Sequence, residues 1–331
     1  MKNAVWCDFN PGEQWDFLNG INDSTNLEFI EMVYINNKMS TKSDNLIRYA
    51  KYIWFGFIQF INRKEYGIIV SWQQFFGIFF AFFCRLFHIK KTFNLFLMVF
   101  IYIPKKNLIG KLYKAFIKYA VDSPYIDKII LNSTSEGQRY SKELGIELNK
   151  FMYVPLGENL VKEQIDIKME KDILFAAGFS NRDFKFLVDT LKDCEYSTYI
   201  FGREDGRINK IVLSSEKVGN RISSILSKTK IVLVPLKENR ESGQLTILHA
   251  MEAGIPVIAT ATDCMKDYIE DGVNGFLCPN VSEEWLDRIE LLYRDDKLYN
   301  EMSNRCKEIY YQKHTRYAMG KNVGEIIVDN L

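Results

Sequence analysis

The densest run of chemistry-bearing residues lies between positions 235 and 279. An apolar run ends at Pro235, the polar stretch Lys237-Glu238-Asn239-Arg240 follows, and Glu241-Ser242-Gly243-Gln244 leads into an apolar segment over residues 244–253. Gly254 and Pro256 close that segment in the way helix C-termini are closed. A glycine at a helix start lets a ligand approach the free backbone N–H groups, and those amides, with the helix dipole, favour a phosphate. Glu241 stands where its carboxylate would accept hydrogen bonds from sugar hydroxyls beside that phosphate. The same Glu241-Ser242 pair also suits a plain cap on a surface helix, so the local physics leaves both readings open.

The surrounding pattern supplies a scaffold for such a site. In the second half, strand-like runs at 173–177, 197–201, 231–234, 257–260 and 276–278 alternate with helical stretches at 184–191, 222–227, 244–253 and 263–269. The first half has strand-like runs at 4–9, 67–72, 92–103, 128–132 and 151–154, and helical stretches at 45–61, 74–87, 111–121 and 135–144; a further apolar run covers 32–35. Strands alternating with helices imply parallel sheets with both faces covered. The polar stretch 164–171 reads as a linker between two Rossmann-like halves. Ligands of such sheets bind at the carboxyl ends of the strands, so a cleft between the halves is the expected site.

Composition narrows the function classes. The 331 residues exceed what one core usually organises, which favours two domains. Forty-three Lys and Arg against 42 Asp and Glu give a net charge of +1, which argues against nucleic acid as a partner, since phosphate contacts need a basic excess. The six cysteines are scattered, without CxxC pairs or metal-ligand spacing. The first residues show no apolar run and no small-residue cleavage site, so a cytoplasmic protein with reduced thiols is expected. No run approaches the ~20 apolar residues a spanning helix needs; the nearest, residues 75–87, is interrupted by Arg85.

The run from Glu241 resembles the signature of the family-4 type of glycosyltransferases (glycosyl transferases group 1), a type found in bacterial surface-polysaccharide biosynthesis. The resemblance rests on Glu241, the turn Ser242-Gly243, the helix from Gln244, and then Ala250-Met251 with Gly254, Pro256-Val257-Ile258-Ala259-Thr260. It continues through Tyr268-Ile269-Glu270-Asp271-Gly272-Val273-Asn274-Gly275-Phe276-Leu277. Val154-Pro155-Leu156-Gly157 is similar to the family's lead-in to the interdomain segment, and Phe175-Ala176-Ala177-Gly178 with Arg182-Asp183 to its first donor-domain strand and basic residue. The first half is matched in rhythm alone.

The resemblance implies an α/β GT-B fold of two Rossmann-like domains facing across a cleft: 1–155 for the acceptor, 156–312 for the sugar-nucleotide donor, and 313–331 as a helix packing back on the first. It implies a hexosyl- or related transferase, retaining, with no cofactor and no metal. Glu241 would face the donor sugar, the amides from Gly243 to Leu245 would hold the diphosphate, and Arg182 would neutralise the charge growing on the leaving nucleotide. Gly178, Ser180, Gly202, Arg203, Ile222, Ser242, Gln244 and Thr246 complete the implied donor contacts. One position departs from the family: its second glutamate is His249 here. A neutral imidazole offers one acceptor nitrogen where a carboxylate accepts from both ribose hydroxyls. That departure keeps alive an alternative, a non-catalytic GT-B-like subunit that binds or stabilises a partner transferase. The pair Asp295-Asp296 lies in a charged helical region and reads as a solvated cap rather than a metal motif.

On the acceptor side, Asp8 is the candidate catalytic residue, with Asn10, Gly12, Gln73 and Gln74 as acceptor-binding candidates near the expected ends of strands. His88 and His314 read as structural. Residues 66–121 contain no Asp or Glu but carry Arg85, Lys90, Lys91, Lys105, Lys106, Lys111, Lys114 and Lys118. A basic, aromatic surface of that kind suits the inner face of an anionic membrane and a glycan or lipid-linked acceptor. The same residues also fit a buried aromatic helix with solvated lysines.

Overall fold

The computed structural model describes residues 1–12, 15–34, 42–159 and 171–331, and all counts below are of those residues. They form two compact units, Met1–Val154 with Tyr317–Leu331, and Pro155–Arg316. The expected linker lies outside the described residues apart from Lys171, as does Ile35 at the end of the run 32–35.

The first unit runs β1 (Lys2–Cys7), α1 (Asp16–Thr25), β2 (Phe29–Val33), α2 (Lys42–Ile61), β3 (Tyr66–Ser71), α3 (Gln74–Leu86), β4 (Asn94–Leu97), α4 (Leu108–Val121), β5 (Lys128–Leu131), α5 (Thr134–Leu144) and β6 (Phe151–Tyr153). Six strands pair in parallel in the order β2-β1-β3-β4-β5-β6. Its core is aromatic: Trp6 makes edge contacts with Phe55, Tyr66 and Phe80, all buried. The strand expected over 92–103 stops at Leu97, because Val99 takes a left-handed backbone with φ of 49°, strained for a β-branched residue. Helix α4 starts earlier than its apolar run suggests. The Asn107 side chain caps it by accepting from the Gly110 amide at 2.8 Å. Helix α1 was not expected from the sequence.

The second unit contains β7 (Ile173–Ala177), α6 (Phe184–Leu191), β8 (Thr198–Phe201), β9 (Gly206–Ile208), β10 (Ile211–Ser214), α7 (Ile222–Leu226), β11 (Thr229–Val234), α8 (Gln244–Glu252), β12 (Val257–Thr260), β13 (Gly275–Cys278), α9 (Ser282–Arg294) and α10 (Asp296–Ile309). The strand order is β13-β12-β11-β7-β8-β10-β9, and β9 alone is antiparallel to its neighbour. Successive residues of β7 serve opposite faces: Phe175 joins the layer under α8, Leu174 and Ala176 the layer under α6 and α9. This is the period-two burial of a strand covered on both sides.

Two features here depart from the expected pattern. Strands β9 and β10 lie at 206–214, where no element was expected. Parallel strands are usually joined by a crossover of a dozen or more residues, often a helix; between β8 and β10 the return leg is the three-residue strand β9 on the outer edge. The helix expected over 263–269 is a single 3-10 turn, Met265–Asp267. The Asn274 side chain accepts from the Glu270 amide at 2.8 Å and donates to the Tyr268 carbonyl at 3.0 Å, taking backbone groups that a longer helix would pair.

The chain closes with α11 (Arg316–Val328), which packs on α1 at glycines. A Cβ on Gly320 would lie 2.0 Å from the Phe17 carbonyl oxygen, and one on Gly20 would lie 2.3 Å from that of Tyr317. Such close backbone approach requires residues without side chains, and the Tyr317 hydroxyl donates to Asp23 at 2.8 Å beside it.

Candidate functional site

In the second unit two loops meet above the ends of β7 and β11. The β7–α6 loop is zipped to the β11–α8 loop by Asn181, whose side chain donates to the Glu238 carbonyl at 2.9 Å and accepts from its amide at 3.0 Å. Arg182 bridges to Leu236 in an isolated antiparallel pair. Asn280 reinforces the joint, donating to the Leu236 carbonyl at 3.0 Å and to Asp183 at 3.3 Å. Neither asparagine was singled out from the sequence. The signal available was weak: Asn181 has φ of 54°, a conformation that asparagine tolerates better than most residues.

The joint fixes the Arg182 guanidinium between two glycines. Nε donates to the Ala177 carbonyl at 3.0 Å, and Nη1 to the Ser180 carbonyl at 3.1 Å and Ser242 Oγ at 2.9 Å. Ser242 in turn donates to the Ser180 carbonyl at 3.0 Å. A Cβ on Gly178 would sit 2.8 Å from the guanidinium, and one on Gly243 would sit 2.9 Å from Val234 and 3.4 Å from Arg182. With φ of 139° and 101° respectively, both positions need glycine for their backbone as well as for their space. Arg182 makes no ion pair with the adjacent Asp183, which caps α6 by accepting from the Phe186 amide. Burial lowers the Arg182 pKa to about 10, so the group stays charged at neutral pH. Among the described residues its hydrogen bonds go to neutral oxygens, and a half-buried cation without a counter-ion is costly.

Helix α8 begins at this point. Gly243 is its N-cap and contributes no side-chain cap, so the first-turn amides remain available to an anion. Gln244 is buried, and its Nε2 has no hydrogen-bond partner among the described residues. Glu241 and Thr246 are half-buried, and Leu245 is exposed. His249 is half-buried further along α8; burial, with the nearby Arg316 charge adding, lowers its pKa to about 4. The imidazole is therefore neutral at physiological pH.

Of the remaining donor-side candidates, Gly178, Gly202 and Arg203 line a neighbouring cavity of about 490 Å³ with Arg182, Phe184 and Lys237, whereas Ser180 and Ile222 do not. It lies beside α6 and under the short β9 crossover, where a helical return would have covered the sheet. Arg203 holds its rim by donating to the Phe179 carbonyl at 2.8 Å. Ile222 opens α7 and packs against the α8-side core. The glycine turn and the cavity share Gly178 and Arg182, whereas Glu241 and His249 are not part of the cavity lining.

In the first unit, Asp8 follows β1 and meets two residues from distant segments. Tyr52 of α2 donates to Asp8 Oδ2 at 3.0 Å, and Gln73 donates to the same oxygen at 2.7 Å. The Gln73 amide also lies 3.2 Å from the Tyr52 hydroxyl, and its carbonyl caps α3 by accepting from Phe75. Tyr52 was missed, since nothing in its local sequence says that α2 crosses the end of β1. Asn10 makes an Asx turn with the Gly12 amide at 3.0 Å. Gln74 is turned to the backbone of Ile101, accepting from its amide at 3.0 Å. His314 is buried in the second unit, 3.0 Å from the Leu156 carbonyl and stacked on Tyr268, while His88 is exposed. Asp295 caps α10, accepting from Leu298 at 2.9 Å.

Residues 206–309 match the family model described as Glycosyl transferases group 1, so the chain carries a glycosyltransferase domain. It is 24% identical over 233 residues to an uncharacterized glycosyltransferase of Methanocaldococcus jannaschii, covering 59% of this chain and 65% of that one. It is 27% identical over 176 residues to N-acetyl-alpha-D-glucosaminyl L-malate synthase of Bacillus anthracis, covering 52% and 42%. The chain thus spans less than two thirds of either curated relative. Among solved structures, HepE of Anabaena in complex with UDP superposes with a TM-score of 0.69 at 15% identity, covering 99% of this chain and 100% of that one. The fold is that of the GT-B glycosyltransferases, with two Rossmann-like units.

Proposed function

We propose that this chain, a glycosyltransferase by its group 1 domain and GT-B fold, moves a sugar from a nucleotide-diphosphate sugar to a lipid-linked or nascent glycan acceptor. The donor is held by the second unit and the acceptor by the first. The observation that carries the reading is Arg182: a half-buried, charged guanidinium with neutral partners among the described residues, set against two glycines at the uncapped start of α8. A diphosphate supplies the missing counter-charge and accepts from the α8 amides. HepE, similar in fold, is in complex with UDP, which supports a nucleotide as the ligand.

In this reading the cation acts as the bond to the leaving phosphate breaks, by stabilising charge that grows in the transition state. Arg182 and the amides at Gly243, Gln244 and Leu245 are the groups of this chain that do so, without a metal ion. Glu241 accepts from the sugar hydroxyls and orients the ring. His249, neutral, gives the ribose one acceptor or one donor rather than a carboxylate. Asp8, held by Tyr52 and Gln73, faces the incoming hydroxyl, with Asn10, Gly12 and Gln74 shaping the loops beside it. Transfer is retaining, with the leaving phosphate assisting the hydroxyl. The lysine-rich first unit rests on an anionic membrane surface at the cytoplasmic face; among the described residues no helix is long and apolar enough to cross a membrane.

The test is thermal melting with UDP, GDP, ADP and CMP. A ligand that binds only the native state raises stability by about 2.7 kcal/mol at a hundred times its dissociation constant. A shift for one nucleotide, absent in Arg182→Ala, is the expected result. No shift with any nucleotide would replace the transferase with the non-catalytic subunit.

A further inference from the structure

The first unit holds a second cavity, separate from the donor-side cavity of the second unit. It is a groove of about 570 Å³ between α2, α3, α4 and the segment after β4, within the roughly 300–1,000 Å³ of small-molecule sites. Phe75, Phe79, Phe116, Ile103 and Ile109 supply apolar walls, and Lys105 is the one cation among the lining residues. The groove opens to solvent beside exposed apolar side chains: Ile109 is 70% exposed and Leu108 is 73% exposed. Patches of this sort on a folded unit mark a ligand or an interface rather than core.

Two observations identify the occupant. The first is position. Tyr49 and Phe75, in the groove wall, are in ring contact at 5.2 Å, and Phe75 stacks at 5.8 Å on Tyr52, the residue that donates to Asp8. Gln74, also in the wall, directly follows Gln73 of the same polar cluster and ties down Ile101 of the opposite wall. One end of the groove is therefore a single ring away from the polar cluster. The second is charge. Residues 66–121 contain no acid, and α4 adds Lys111, Lys114 and Lys118 to Lys105. A ligand that fits both features has a hydrocarbon body and an anionic head.

We propose that this groove holds the hydrocarbon chain of a lipid phosphate that anchors the acceptor, with the Lys105 ammonium on the phosphate. The proposal rests on reading the first unit as the acceptor side and names the acceptor class: a glycan or hydroxyl carried on a long-chain phosphate. The chain contributes affinity through apolar burial, and the groove positions the head toward Asp8, Tyr52 and Gln73.

The experiment is calorimetric titration of the full chain with farnesyl phosphate below its aggregation threshold, beside farnesol, inorganic phosphate and dodecyl maltoside. Farnesyl phosphate is expected to bind saturably, at least roughly tenfold tighter than farnesol, while inorganic phosphate gives no saturable binding. Ile109→Glu places a carboxylate in the apolar wall near the bound phosphate and should weaken farnesyl phosphate by about tenfold or more. Ile109→Val should bind as the parent does, and unchanged melting of both variants excludes misfolding. Equal affinity in the parent and Ile109→Glu overturns the proposal, as does equal binding of dodecyl maltoside. A concentration-dependent dimer that Ile109→Glu abolishes also overturns it, since the groove would then serve a second copy of the chain. Binding of farnesyl phosphate without any nucleotide response leaves the groove standing and removes the transferase reading; a nucleotide response without farnesyl phosphate binding removes the groove alone.

Discussion

The two units are built alike and finished differently. Each is a parallel sheet covered by helices, but the second turns its large apolar side chains inward while the first leaves many of them in solvent. On α2 of the first unit, Leu46, Ile47, Ile53 and Trp54 are exposed, Trp54 by 58%, and Leu108, Ile109 and Leu112 follow on α4. The exposed large apolar residues of the second unit are scattered, among them Phe179, Leu245 and Tyr311. Charge differs in the same sense. The first unit has an acid-free, lysine-bearing stretch of 56 residues from 66 to 121, whereas the second concentrates one uncompensated cation, Arg182, at a glycine turn. A shared architecture thus carries a half-buried cation at a glycine turn in one unit and an exposed apolar, lysine-bearing face in the other, the contrast expected if one handles a water-soluble phosphate and the other a surface.

The sharpest way to break that comparison is at Arg182. Arg182→Ala should cost about 10²–10³ in kcat/KM for the nucleotide sugar, the usual effect of removing one preorganised charge-stabilising group. Arg182→Lys keeps the charge but cannot reproduce the fork to Ala177, Ser180 and Ser242, so an intermediate loss is expected. Neither variant should alter farnesyl phosphate binding by the first unit. Parent-level turnover in Arg182→Ala would remove the central argument about the second unit.

A structural test addresses the independence of the units. Gly320→Leu forces a side chain against the Phe17 carbonyl, where even a Cβ would be 2.0 Å away. The destabilisation should reach about 3 kcal/mol, the upper end of ordinary overpacking. In a calorimetric scan with saturating nucleotide, the first unit's transition should fall by roughly 6–12 °C while the nucleotide-stabilised transition stays in place. A single transition that moves as one would show that the units do not melt independently.

A pH test comes next in size. His249 has a folded pKa of about 4, below its unfolded value of roughly 6.5. The unfolded chain therefore binds the proton first as pH falls. The stability contribution is complete above about 6.5 and is lost on descending toward about 4. Burial also lowers His314, so it acts in the same direction. The loss attributable to His249 should be on the order of 2–3 kcal/mol, read by urea unfolding at stepped pH. His249→Gln should flatten that part of the profile, and the mutation lies wholly in the second unit. An unchanged slope in the variant would mean that His249 is solvated.

The sequence reported these two units unequally for a physical reason. In the second, Glu241, Ser242, Gly243 and His249 are neighbours in the chain, and the turn and helix that present them follow from local punctuation. The strands at 173–177 and 257–260 and the helix at 184–191 were legible to the residue because the apolar runs are bounded by Gly, Pro or a capping Asp. What escaped was set by tertiary contact: β9 and β10, which replace a crossover helix, and the 263–269 segment, whose backbone groups are taken by Asn274. In the first unit the polar cluster joins positions 8, 52 and 73, which no local pattern connects, so Asp8 and Gln73 were found and Tyr52 was not. The basic, aromatic stretch was visible, but whether its rings were core or surface was not. The answer is both: Phe76 and Phe80 are buried, while Phe87 is exposed.

The smallest expected effect separates surface from groove. Lys111 and Lys114 lie on the exposed side of α4 and outside the groove lining. Removing one lysine near an anionic bilayer costs about 1 kcal/mol, roughly a fivefold change in partition. Lys111→Gln and Lys114→Gln should each weaken binding to phosphatidylcholine vesicles containing phosphatidylglycerol by that factor, with the difference shrinking as salt rises. Both variants should keep the melting shift with nucleotide and retain most of their affinity for farnesyl phosphate, because Lys105 and the apolar walls are intact. If vesicle binding is unchanged in both, the lysines are only solvating α4, and the contrast between the units reduces to the groove. If farnesyl phosphate binding falls as far as vesicle binding does, the lysines hold the phosphate directly and the groove's chain selectivity is the weaker of the two contributions.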